Sequence, residues 1–120
     1  MARADVPFTQ LDRLGDDIAV GGTTFDVADD AMFHNKDAQT VLVLTNNGAG
    51  AHIITFITPF LASGGLTVED PTVSIGAGET KAFGNFDPVV FNQPSGADIG
   101  KVYMNSDGTK TEMVAKLYRP

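Results

Sequence analysis

The amino-acid sequence predicts an all-β protein, namely an antiparallel, jelly-roll-like β-sandwich with about eight to ten short strands. Short runs rich in Val, Ile, Thr and Phe recur along the chain, and several of them alternate apolar with polar residues. Gly, Asn, Asp and Pro separate these runs at intervals of about 8–12 residues, which is typical of sandwiches and barrels. The 120 residues, of which 42% are hydrophobic, are enough for one globular domain.

The N-terminal third is the least regular part of the chain. Residues 1–16 show no clear period, and we expect them to form an extended N-terminal arm that precedes a single sandwich domain over residues 17–120. Residues 17–28 are typical of two short strands. Residues 29–38 are ambiguous, because an aspartate there could cap a helical turn and the same stretch could form a loop at a strand edge.

The rest of the chain predicts strands that are joined by tight turns. The strand-like runs are residues 39–46, 51–59, 65–70, 72–75, 79–83, 88–92, 99–106 and 110–118. The turn at Asn47-Gly48 predicts a hairpin between the first two runs, and Asp107-Gly108 predicts a two-residue hairpin between the last two. The turn at Gly76-Ala77-Gly78 reverses the chain at a corner of the sandwich.

The composition argues against several classes of partner. Fifteen acidic and eight basic residues give a net charge of −7, and the basic residues are scattered, so no basic stripe is present to bind a nucleic acid. Without cysteine, the chain can form neither a disulfide nor a thiolate zinc site, which leaves the redox compartment open. The acidity leans towards residues 1–37, where it fits either a solvated surface or a complement to a basic partner.

The sequence carries no sign of export or of membrane insertion. Acidic residues interrupt the first 17 positions, which therefore do not form a signal peptide. No run reaches the roughly 18 apolar residues of a membrane span. We therefore expect a soluble protein that has no membrane partner and is made in the cytoplasm of the producing cell.

No set of residues predicts a catalytic or metal centre. His34 and His52 lack the spacing of a cupin-type metal site, so we expect both to be ordinary polar or partly buried residues. No G-x-S-x-G elbow frames a serine, although a triad can assemble from residues that are distant in sequence. Asp26, Asp29 and Asp30 could present oxygens to calcium but lack the pattern of an EF-hand loop. We therefore predict no catalytic residue, no metal, no cofactor and no small-molecule substrate.

The apolar residues of the N-terminal arm are the best candidates for contact with a partner. Val6, Phe8 and Leu11 lie where no local core is evident. Each of them is therefore expected to bury against the protein's own sandwich, a sister subunit or another protein. Together with Arg3, they form the predicted partner-binding set.

Three segments within and just beyond residues 39–118 carry a resemblance to a known family. They read "VLVLTNNGAGAHIITFITP", "LTVEDPTVSIGAGETKAFGNFDPVVFN" and, at the C-terminal end, "VAKLYRP". This succession of strands, an A-G-E-T turn and a short apolar-basic tail resembles small β-sandwich proteins encoded among bacteriophage head genes. Several proteins of that kind are head decoration, or cement, proteins.

The resemblance implies a structural function. It implies a jelly-roll-like subunit, often a homotrimer, that binds the major capsid protein of a phage on the outer capsid surface of the virion. In that case the N-terminal arm would grip the shell or close the trimer. Another virion component, such as a head fibre base or a neck protein, is an alternative. A β-sandwich module that binds a ligand, for example a carbohydrate, is a further alternative and predicts exposed aromatic pairs across one sheet. An enzyme is least favoured because no reactive constellation is visible.

Overall fold

The computed structural model describes residues 3–11, 22–35, 40–59, 61–62, 65–67, 69–84 and 86–119. In this part of the chain, ten strands form two mixed sheets around one hydrophobic core, so the predicted all-β sandwich is confirmed. Within the same ranges, no helix is long and apolar enough to cross a membrane.

The strands are numbered in chain order. One sheet contains Ala4–Val6 (β1), Ala31–His34 (β4), Lys101–Ser106 (β11), His52–Phe56 (β6) and Thr72–Ile75 (β9), in the spatial order β1-β4-β11-β6-β9. The other contains Thr80–Gly84 (β10), Val41–Asn46 (β5), Met113–Arg119 (β12) and Phe8–Gln10 (β2), in the order β10-β5-β12-β2. Thr23–Thr24 (β3) also pairs with β12, and Leu61–Ala62 (β7) and Leu66–Thr67 (β8) form a separate pair.

Three of the tight turns join strands of opposite sheets rather than the two strands of a hairpin. The turns after β5, β9 and β11 carry the chain across the core to β6, β10 and β12. The hairpins predicted at Asn47-Gly48 and at Asp107-Gly108 are therefore wrong, because both turns are arches between the sheets. A turn signal fixes where the chain reverses but not which sheet receives the next strand. This alternation between sheets is typical of jelly-roll connections.

Two strand pairs are parallel, and both involve the N-terminal segment. β1 pairs in parallel with β4, and β2 pairs in parallel with β12, whereas the other described pairs are antiparallel. The prediction of purely antiparallel sheets is therefore wrong at these two edges. Only Pro7 separates β1 from β2, so the chain cannot reverse and enters both sheets in the direction in which it already runs.

The run at residues 88–92 is a helical turn and not the predicted strand. Pro88–Phe91 (α1) begins after Asp87, whose Oδ1 accepts a hydrogen bond of 3.0 Å from the Val89 amide. An aspartate at the cap followed by proline at the first position is a standard helix start. The capping pattern therefore outweighs the β propensity of the two valines.

The ambiguous stretch over residues 29–38 contains strand β4. Ala31, Met32 and Phe33 are all buried, and β4 lies between β1 and β11 in its sheet. Over Ala31–His34 neither a helical turn nor an edge loop describes the chain, because a strand with neighbours on both sides satisfies its backbone groups within the sheet.

The core lies between the two sheets, and a cluster of aromatic rings extends it beside α1. Its largest fully buried apolar side chains are Phe25, Phe33, Leu42, Leu44, Ile54, Ile75, Met104, Met113, Leu117 and Val102. Phe86 lies with its ring centroid 5.2, 5.1 and 5.4 Å from those of Phe33, Phe56 and Phe91. Aromatic pairs at these separations contribute about 0.5–1.5 kcal/mol each beyond the area that they bury.

Candidate functional site

The N-terminal segment crosses from one sheet to the other within seven residues. β1 lies beside β4, Pro7 makes the crossing, and β2 lies beside β12. Val6 is only 2% exposed and belongs to the core, so it buries against the protein's own sandwich. The described part of the predicted arm is thus built into both sheets, while residues 1–2 and 12–16 of that prediction lie outside the described residues.

Arg3 fixes the start of this segment to the first sheet. One guanidinium nitrogen donates to Asn105 Oδ1 at 2.7 Å and to the carbonyl oxygens of Ala31 and Met104, both at 3.3 Å. The guanidinium carbon also lies 4.1 Å from the centroid of the Tyr103 ring, which is a cation–π contact. Arg3 therefore makes its contacts within its own chain, as Val6 does.

Phe8 and Leu11, by contrast, are exposed. Their exposed fractions are 48% and 43%, although the backbone at both positions is hydrogen-bonded or paired to β12. The Leu11 amide donates to the Arg119 carbonyl at 2.7 Å, and the Arg119 guanidinium carbon lies 3.6 Å from the centroid of the Phe8 ring. We call Phe8, Thr9, Gln10, Leu11 and Arg119 the β2 edge, since β2 is the last described strand of its sheet.

A polar cavity of about 490 Å³ lies beside Arg3. Its walls are formed by Arg3, Ala28, Asp29, Asp30, Met32, Asp98 and Tyr103. The Tyr103 hydroxyl donates to Asp98 Oδ2 at 2.5 Å, and this bond, together with burial, raises the pKa of Tyr103 above its usual value. The tyrosine therefore acts as a hydrogen-bond donor to the wall rather than as a base.

Two of the three aspartates that could have held calcium, Asp26 and Asp30, accept hydrogen bonds within the fold. Asp26 Oδ2 accepts from the amides of Ala28 at 3.0 Å and Asp29 at 2.8 Å, and these bonds lower the pKa of Asp26. Asp30 accepts two bonds from Lys110 Nζ, at 2.8 and 2.9 Å. Within the described ranges, no group of three or more ionisable ligands is arranged to hold a metal ion.

An apolar groove of about 260 Å³ lies where β9 and β10 form the outer strands of the two sheets. It is lined by Phe56, Pro71, Thr72, Val73, Phe83, Gly84, Phe86 and Phe91. Two of these rings, Phe56 and Phe86, are 4% and 6% exposed, so they form the floor and not a platform. Sugar recognition needs an exposed ring with polar groups around it, and this lining supplies mainly apolar surface.

His52 forms a polar cluster with the arch between β11 and β12, residues 107–112. The ring is 5% exposed, and its Nε2 lies 2.7 Å from Glu112 Oε1. Its Nδ1 lies 2.8 Å from the Asp107 carbonyl oxygen and 3.2 Å from Asp107 Oδ1. Sequence reasoning missed this cluster because its members are 55 and 60 residues apart in the chain.

The Ser106 hydroxyl also lies near this imidazole, but the geometry does not suit a nucleophile. Its Oγ is 3.5 Å from His52 Nδ1 and donates to the Asp107 carbonyl at 3.0 Å. A carbonyl oxygen only accepts, so His52 Nδ1 carries a hydrogen and cannot take the serine proton. Ser106 is 3% exposed, and the two cavities described above are lined by other residues.

His34, the other histidine considered in the sequence, lies apart from the His52 cluster. His34 is exposed at the end of β4 and lies in the first sheet opposite Lys101. Arg3 and Val6 therefore make their contacts within the fold, Phe8 and Leu11 lie on its surface, and the two histidines lie on different strands.

No family model, no curated protein and no solved structure matches the chain.

Proposed function

We propose that this protein is a structural virion protein that binds the outer surface of a bacteriophage capsid and bridges capsid subunits. The observation that carries the proposal is the β2 edge, where Phe8 on β2 and Leu11 just after it are exposed although the backbone at both positions is held to β12. The resemblance of residues 39–118 to head decoration proteins supports the same function. The major capsid protein is the proposed partner.

The strand pairing of the β2 edge suits a binding surface that must withstand mechanical force. β1 and β2 are paired with central strands of different sheets, so a pull on Phe8 is transmitted to both sheets. A side chain presented from a paired strand also loses less conformational freedom on binding than one on a flexible tail. The segment can therefore connect a capsid contact to the whole sandwich.

A homotrimer is part of the proposal because the exposed apolar surface is small. Burying one Phe or Leu side chain gives only about 1.5–3 kcal/mol. Three linked copies of the same contact would bind far more tightly, since the second and third contacts form at a high effective concentration. The net charge of −7 keeps separate copies soluble between binding events.

Co-sedimentation with bare, expanded capsids tests the proposal. We expect saturable uptake of the wild-type protein at micromolar concentration and about 10- to 100-fold weaker uptake of a Phe8→Ser variant, from the lost burial of one aromatic ring. Val89→Ser is the matched control, because Val89 is 69% exposed but lies on α1. No uptake of the wild type, or equal uptake of Phe8→Ser, would refute the proposal, and uptake by necks or fibres instead of capsids would favour the other virion roles.

A further inference from the structure

The arch over residues 107–112 is attached to β6 through the buried His52 imidazole and through the Ile53 backbone, whose carbonyl accepts from the Asp107 amide at 3.2 Å. Lys110 of the arch is also paired with Asp30. His52 contacts Asp107 at the start of the arch and Glu112 at its end, and both contacts are at hydrogen-bond distance. Two backbone amides donate hydrogen bonds to the same two acidic residues. The Ile53 amide donates to Asp107 Oδ1 at 2.9 Å, and the Asn47 amide donates to the Glu112 carbonyl at 2.9 Å.

The ring is satisfied on both sides only when it carries two protons. Nδ1 faces a backbone carbonyl, which can only accept, and Nε2 faces a carboxylate, which accepts when it is ionised. A neutral imidazole has a single N–H, so one nitrogen would direct its lone pair at an oxygen less than 3 Å away. The imidazolium donates to both oxygens and also offsets one of the two carboxylate charges.

The charged side chains that contact the His52 ring both belong to the arch. Asp107 and Glu112 of the arch touch the ring, and the next charges are the paired Lys110 and Asp30, which are reached through Ser106. β9, which pairs with β6, carries no ionisable side chain, and neither does the turn at residues 48–50. Loss of the ring proton therefore leaves two carboxylates next to the ring, and no cation among the described residues forms an ion pair with it.

We propose that the arch is a proton-dependent latch: protonated His52 holds Asp107 and Glu112 against the end of β6, and deprotonation weakens this attachment. The pKa of His52 is raised, first by the bond to Glu112 and then by the bonds to Asp107, against the opposing effect of burial. A raised pKa means that the folded state binds the proton more tightly than the unfolded chain does. The stabilisation is therefore complete below the ordinary histidine pKa of about 6.5 and is lost as the pH rises through the raised value.

A double-mutant cycle measures the latch directly. His52→Gln and Glu112→Gln, alone and combined, are unfolded in urea at pH 6 and pH 9, with His34→Gln as the exposed-histidine control. We expect the two positions to be coupled by about tenfold or more in the unfolding equilibrium constant at pH 6, and we expect the coupling to vanish at pH 9. Coupling that is absent at pH 6, or equally large at pH 9, overturns the proposal.

The wild-type protein provides a second test that does not depend on whether the His52 and Glu112 variants fold. Titration of the His52 ring by NMR, assigned with the His34→Gln variant, should give a pKa above that of an unstructured histidine. Hydrogen-exchange protection factors for the Ile53 and Asn47 amides should fall about tenfold from pH 6 to pH 9, while that of Leu44 at the centre of β5 stays constant. A His52 pKa at or below about 6.5, or constant protection at both amides, refutes the latch.

Discussion

Replacing Val6 with alanine asks whether the N-terminal segment is part of the folded core. Val6 is 2% exposed, so the substitution removes two buried methyl groups. At about 0.8 kcal/mol for each group, the lost transfer free energy is about 1.6 kcal/mol, and the cavity left between the sheets raises the cost to about 2–3 kcal/mol. The unfolding free energy should fall by that amount.

Phe8 supplies the matched comparison from the same segment. Its ring is 48% exposed and is in contact with the Arg119 guanidinium, so Phe8→Ala should lower the unfolding free energy by less than about 1 kcal/mol. Urea denaturation followed by circular dichroism measures both values on the same scale. If Val6→Ala is as mild as Phe8→Ala, then residues 4–6 do not pack in the core, and the account of the strand crossing at Pro7 is wrong.

Two further substitutions test the connections around β12. Gly22→Ala should destabilise the fold by at least about 1 kcal/mol, because Gly22 has a φ of 121° and an added Cβ would collide with Val114 Cγ1. Gly50→Ala should be near neutral, because a Cβ at that position would meet nothing within 4 Å. A similar melting temperature for the two variants would contradict this. Asp30→Asn should cost about 1–2 kcal/mol in urea unfolding, since asparagine tolerates the φ of 64° but does not neutralise Lys110; an unchanged midpoint would show that the ion pair contributes nothing.

The positions of most strands could be predicted from the sequence, but their partners could not. The runs that contain Val41–Asn46, His52–Phe56 and Lys101–Ser106 are strands in the structure, because apolar alternation is a local property. Sheet membership is not local. Ser106 and Met113 face the same core from opposite sheets, and nothing in the intervening residues 107–112 distinguishes an arch from a hairpin with a long loop.

The sequence likewise identified the apolar residues of the candidate site but not which of them are buried, since burial depends on sheet membership. Val6 and Phe8 are both apolar and two residues apart, so an uninterrupted strand would place them on one face. The crossing at Pro7 instead buries Val6 between the sheets and leaves Phe8 at an open edge. The sequence shows the proline but not the two sheets that it separates. The His52 cluster was beyond prediction because its contacts depend on how the two sheets are stacked.

The β2 edge and the latch lie at opposite ends of β12, which makes the two proposals separable. β12 has seven residues and so spans about 20 Å between Glu112, which precedes it, and Arg119, which stacks on Phe8. Six of its residues are paired in register with β5, and a shift of one residue would turn its buried side chains outward. Loss of the His52 contacts can therefore loosen Asp107 and Glu112 without moving Arg119. Capsid uptake that fails in the wild type counts against the virion function alone, and a pH-independent coupling of His52 to Glu112 counts against the latch alone.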